Sequence, residues 1–239
     1  MGKYIPVIWD IETTGLNPMA EHWWSNTMQA QVIAIGFATI PNWDEVSDPD
    51  DAEINVYTYY DRDEYELLDI VPERIHEKVR QDCLDRPFEL YHDVVGTEFL
   101  SRTGQNPEPF LVGFNSRSFD HTYIGARFAR KRLKGWPLTH GWKRLDMQRV
   151  AGHHGDLRNH PSQDDYAEYH DVDVPDEHDG SNMPEYFSQN NWTGIREHAE
   201  SDVEELAKLF MRDRESAMEE FYRHYDIDAE PNFAEEADI

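Results

Sequence analysis

The chain has 239 residues and a formal net charge of -27, from 49 acidic against 22 basic residues. That length suits one substantial domain and is too short for two large ones, while 38% hydrophobic content with seven Trp, twelve Tyr and eleven Phe excludes a disordered chain. So acidic a surface repels itself in dilute buffer and is relieved at molar salt, where the screening length falls to roughly 3 Å; this reads as adaptation to a salty cytoplasm, with an acidic decoy or solubility role as the alternative.

The single Cys83 allows no internal disulfide, and no run of about 18 apolar residues occurs. A cytoplasmic protein without membrane contact is expected. Val7, Ile8 and Trp9, preceded by Tyr4 and Ile5 and with Asp10 and Glu12 at the end, read as a first strand, which Thr13, Thr14 and Gly15 end in a turn. "QVIAIGFATI" (31–40) and "EINVYTYY" (53–60) read as two more, separated by a loop rich in Pro, Asp and Asn. Residues 63–82 and 89–101 suit helices, the first with Tyr65, Leu68, Ile75 and Val79 at helical spacing. "PFLVGFN" (109–115) is a fourth strand, followed by a helix over 120–133 that stops at Gly135 and Pro137. Residues 152–191 are polar and weakly periodic, so loops and short helices are expected there. One long helix over 195–225 carries Val203, Leu206, Phe210, Ala217 and Phe221 on one face. A single α/β domain over 1–225 with an acidic tail at 226–239 follows.

In the first strand, side-chain alternation points Asp10 and Glu12 to one face and Trp9 and Ile11 to the other. Two adjacent carboxylates in a partly buried setting repel, and the usual relief is a raised pKa or a bound cation. Asp-x-Glu by itself is a poor signal, because it recurs at 51/53, 202/204, 213/215 and 228/230. Its setting at the end of an apolar strand, before "TTGL", is the specific feature. Asp120 opens a helix after another apolar strand, where capping is its simplest role. His198 and Asp202 lie four apart on a helix and so share a face, which alone suits a surface hydrogen bond or ion pair.

Together, "DIETTGL", "NSRSFD" and "HAESD" resemble, in order and separation, the three motifs of the DEDD superfamily of 3′-to-5′ exonucleases, over about residues 4–210. "RLDMQ" (144–148) further resembles the segment after the second motif in the exonuclease domain of family B DNA polymerases, and the acidic composition is of the haloarchaeal type. The resemblance implies an RNase H-like three-layer α/β domain, with a mixed sheet of about five strands flanked by helices. It implies two divalent cations, Mg²⁺ or Mn²⁺, held by Asp10, Glu12, Asp120 and Asp202, and His198 orienting or deprotonating the attacking water. Thr13, Thr14 and Leu16 match positions that touch the terminal nucleotide, and Asn115 and Arg117 stand in the second motif as further substrate contacts. The chain departs from the pattern in one respect: the histidine subgroup places four residues between His and Asp, the tyrosine subgroup three, and here a His takes the tyrosine spacing. Since one residue is about 100° of helix rotation, simple packing of His198 beside Asp202 stands as the alternative to a base.

The expected substrate is a single-stranded 3′ end, DNA ahead of RNA, with replication or repair proteins as candidate partners. An exoribonuclease and a non-catalytic end-binding or proofreading accessory are the alternatives. Nine basic residues fall between Arg117 and Arg149 against only Asp120 and Asp146, a local charge of +7 that suits a phosphate-facing patch or a solvated helix face. Trp23 and Trp24 suit base stacking or loop packing. His153, His154, His160, His170 and His178 show no HExxH or Cys/His spacing, so no zinc is expected there.

Overall fold

The computed structural model describes residues 4–14, 30–84, 108–117, 119–133, 142–155, 157, 160–173 and 180–227. The apolar runs pair as β1 (Tyr4–Thr13), β2 (Val32–Thr39), β3 (Asn55–Tyr60), β4 (Glu108–Gly113) and β5 (Lys143–Asp146). They form one five-stranded sheet in the order β3-β2-β1-β4-β5. β2 is antiparallel to both β1 and β3, whereas β4 runs parallel to β1 and β5 parallel to β4. β1 is thus central, and the ladder to β2 slips register between Glu12 and Thr13, a bulge of the kind that re-aims side chains beside functional sites.

The alternation of β1 separates two cores. Val7, Trp9 and Ile11 face α1 (Glu64–Val79) and α2 (Asp120–Lys131), while Tyr4 and Ile8 face α6 (Trp192–Arg212) and α7 (Arg214–Tyr225). Trp9, Ile8, Phe37 and Phe110 are fully buried, each worth roughly 1.5–3 kcal/mol relative to exposure. Three shorter helices, α3 (Met147–Ala151), α4 (Gln163–Tyr169) and α5 (Met183–Gln189), line the α6 side or its edge. A helix-on-sheet-on-helix stack follows, because every strand of the sheet's centre is apolar on both faces.

Two local features set spacing. Gly36 lies opposite Asp10 in the β1–β2 ladder, and a Cβ there would stand 2.8 Å from both the Ala199 carbonyl oxygen and Val203 Cγ2. Glycine at this point lets α6 lie close upon the sheet. On the other face, Arg127 of α2 donates from Nε to Glu64 Oε1 at 2.6 Å and pairs with the second carboxylate oxygen, while Val32 N–H donates to the same Oε1 at 2.8 Å. This buried pair has its charges satisfied on both sides and ties α1, α2 and β2 together.

The first four strands and the first helix fall where the sequence pattern puts them, β5 being a strand that the pattern did not place, and Tyr65 is half exposed, its place on the buried face being taken by Leu67 and Val71. The single helix expected over 195–225 is two helices. It breaks at Asp213, whose φ of -118° and ψ of 31° leave the helical region and whose buried carboxylate turns inward. The helix expected over 89–101 and the tail beyond 227 lie outside the described residues. Among the described residues no helix is long and apolar enough to cross a membrane.

Candidate metal centre

The site begins with how three segments reach one point. β1 delivers Asp10 and Glu12 on the face covered by α6, as alternation dictates. α6 delivers His198 and Asp202, one turn apart; His198 Nε2 lies 3.4 Å from Glu12 Oε1 and 3.4 Å from Asp202 Oδ2. One ligand atom from each of Glu12, His198 and Asp202 falls within 4.8 Å of the others. Glu12 Oε1 is buried with no hydrogen-bond partner among the described residues.

The third segment is built by the turn after β4. Gly113 ends the strand where a Cβ would collide with Ser116, at 2.5 Å from its Cβ. Asn115 then adopts φ 52°, the left-handed region that Asn tolerates better than most residues. Asp146, at the end of β5, accepts from Arg117 N–H at 3.2 Å and caps α3 through Gln148 N–H at 3.2 Å. Phe119 packs on Tyr123 with ring centroids 5.5 Å apart. Asp120 is therefore presented at the first position of α2, buried at 3% exposure. It does not cap that helix: the N-cap residue is Phe119, which has no side-chain cap bond.

Electrostatics mark the four acids as one group. Burial pushes Asp10 up to about 7. Glu12 stands well above its usual range, first through burial and then through the charges of Asp10, Asp202 and Asp120. Asp120 is raised by burial, then by Asp10 and Asp146. Asp202, more exposed than the others, reaches about 8 through burial and the charges of Asp10, Glu205 and Asp164. Burial and mutual repulsion penalise ionisation of all four, and among the described residues no Lys or Arg charge is a cause that lowers any of them, the condition a hard cation relieves. The donor set, with carboxylate oxygens from three separate segments and one buried oxygen lacking a partner, fits divalent cations that prefer oxygen ligands.

The remaining sequence candidates divide. Thr13 is buried, and Thr14 is spent on the chain itself: its N–H donates to the Gln31 carbonyl at 2.9 Å and its Oγ1 accepts from Gln31 N–H at 3.0 Å. Leu16, Trp23 and Trp24 lie outside the described residues. Arg117 reaches toward the Arg144 carbonyl at 3.4 Å. The basic stretch is not one free face. Arg127 and Lys131 pair with Glu64, Lys143 with Glu108 at 2.8 Å, and Arg149 with Glu220 at 3.4 Å, so four of its nine cations are paired with acids distant in the chain. Sequence reasoning missed Asp146 and Glu205. Both are buried with raised pKa, chiefly by burial, and both adjoin the four acids electrostatically; the signal for Asp146 was its place within RLDMQ, and Glu205 is hidden in an acidic run.

The strand order with its mixed directions, and acids at the carboxyl end of the central strands, make this an RNase H-like α/β domain. No family model matches the sequence, and no curated protein matches it. Among solved structures it is similar to the family B DNA polymerase from the hyperthermophilic archaeon Pyrobaculum calidifontis, with a TM-score of 0.53 and 16% identity over 86% of this chain. The match covers 24% of the polymerase chain.

Proposed function

We propose that the protein is a 3′-to-5′ exonuclease that uses two divalent cations, Mg²⁺ or Mn²⁺, to release nucleoside monophosphates from single-stranded DNA. The observation that carries this reading is the cluster of Glu12, His198 and Asp202, whose ligand atoms lie within 4.8 Å of one another, with the charges of Asp10 and Asp120 acting on the same group. The three sequence motifs support it independently, and the DNA polymerase neighbour favours DNA over RNA.

Asp10, Glu12, Asp120 and Asp202 would hold the cations, which supply Lewis-acid stabilisation and a lowered pKa for water. A water oxygen attacks phosphorus in line with the scissile bond. The P–O3′ bond breaks, the 3′ oxygen stays with the shortened strand, and the incoming oxygen remains on the released 5′-monophosphate. His198 takes up or orients the water proton, and its position against both Glu12 and Asp202 keeps the imidazolium stabilised once formed. Burial of Glu12 and Asp120 keeps competing water away from their carboxylates.

The test is an assay on 5′-labelled DNA and RNA, single-stranded, 3′-tailed and blunt, with Mg²⁺ or Mn²⁺, at low and molar KCl. A metal-dependent ladder shortening from the 3′ end, faster on DNA, is the expected result. Faster RNA trimming would move the assignment to an exoribonuclease. End binding without cleavage at any salt would replace the enzyme with an accessory protein.

A further inference from the structure

A second cluster of ligating side chains lies away from the four acids. His154 sits in the turn after α3, His170 caps the C-terminus of α4, and Asp213 stands at the break between α6 and α7. Asp213 follows Asp202 by eleven residues along α6, roughly 15 Å of helix rise, so the two clusters share no ligand. His154 Nε2 is 2.6 Å from Asp213 Oδ2 and His170 Nε2 is 3.8 Å from the same oxygen. All three ligand atoms lie within 4.8 Å of one another.

An ordinary ion pair accounts for only part of this. A bond between His154 and Asp213, supported by the Tyr166 hydroxyl donating to Asp213 Oδ2, would leave nothing for the second imidazole. Yet His170 Nε2 lies 3.8 Å from Asp213 Oδ2, shielded from solvent, with no hydrogen-bond partner among the described residues. A buried ring nitrogen left unpaired costs roughly 1–3 kcal/mol. The Tyr166 and Tyr169 rings pack on that imidazole at 4.7 and 5.0 Å, and fix where it points.

We infer that His154, His170 and Asp213 form a second metal site, for Zn²⁺, that braces the α3 turn, the end of α4 and the α6–α7 junction. Two imidazoles and one carboxylate are the borderline donors zinc takes, leaving a fourth position open to water. The separations of 2.6 and 3.8 Å bracket the edge of about 3.3 Å that a tetrahedron with bonds of 2.0–2.1 Å requires. Tyr166 acts from behind the ligands, holding the Asp213 carboxylate in orientation. The first residue of α4, Gln163, donates to the Asp202 carbonyl at 3.1 Å, so the brace at the far end of this helix also steadies the segment that carries Asp202. The ligands escape a reading of the histidine-rich stretch alone, because the third comes from position 213.

The test uses the full chain carrying Asp10→Asn and Asp202→Asn, which also takes a carboxylate from the Glu12–His198–Asp202 cluster, stripped with chelator and titrated with Zn²⁺ by calorimetry and with Co²⁺ by visible absorption. One equivalent of Co²⁺ with intense tetrahedral bands is expected, and His170→Gln should weaken binding by at least roughly tenfold. Zinc should raise the thermal midpoint of this protein and not that of the His170→Gln variant. Tyr166→Phe, which keeps the ring packing, should weaken binding by roughly tenfold with an unchanged circular dichroism spectrum, and serves if His170→Gln fails to fold. Absence of binding in this doubly substituted protein, or binding unaffected by either variant, would overturn the site.

Discussion

At Asp10 a single charge decides between binding and stability. Asp10→Asn removes a carboxylate that raises the pKa of Glu12, Asp120 and Asp202, so two opposite effects are expected. Hydrolysis should fall by roughly a hundredfold or more, while the thermal midpoint in chelator should hold or rise, since a repulsive partner is gone. Undiminished hydrolysis would remove Asp10 from the centre. Gly180 tests the base more finely: a Cβ there would stand 3.3 Å from His198 Nε2. Gly180→Ala should slow turnover by about tenfold through displacement of the imidazole, with a midpoint within a few degrees of the parent. Equal turnover would favour a packing role for His198.

At the scale of elements, the distance between α6 and the sheet is the quantity that matters. Gly36→Ala introduces a methyl against the Ala199 carbonyl and Val203, and overpacking of this kind costs about 1–3 kcal/mol. The midpoint should drop by roughly 5–10 °C, and activity should fall further than stability, because the helix that moves carries both His198 and Asp202. The alternating pattern of β1 made its two faces legible in advance, and with them the direction of Asp10 and Glu12. The break at Asp213 was not legible: apolar spacing runs on through Ala217 and Phe221, and only contacts made by residues 47 and 59 positions earlier, Tyr166 and His154, draw that carboxylate inward. Four cations of the basic stretch pair with Glu64, Glu108 and Glu220, which lie far off in the chain and were not legible as their partners.

For the whole molecule, the acidic centre couples folding to pH and to cations. The four carboxyls have folded pKa values above their unfolded ones, so the stability they contribute is complete below about pH 4 and is lost as pH rises through 7–8, where Asp10 and Asp202 ionise. In chelator the midpoint should therefore fall between pH 5 and pH 8.5, by roughly 5 °C or more. Saturating Mg²⁺ favours the ionised form and should flatten that fall. A midpoint independent of both would mean the acids do not act as a group.

The same crowding turns cation capture into an acid-producing event. Near neutral pH, Asp10 and Asp202 hold their protons for much of the time, and a carboxyl must surrender its proton before it can ligate. Each loading of the centre thus exports hydrogen ions to the medium. Calorimetric titration with Mn²⁺ at pH 7 in buffers of differing ionisation enthalpy should give apparent enthalpies that fall linearly as that enthalpy increases, because the buffer takes up the released protons, with a shallower slope at pH 9.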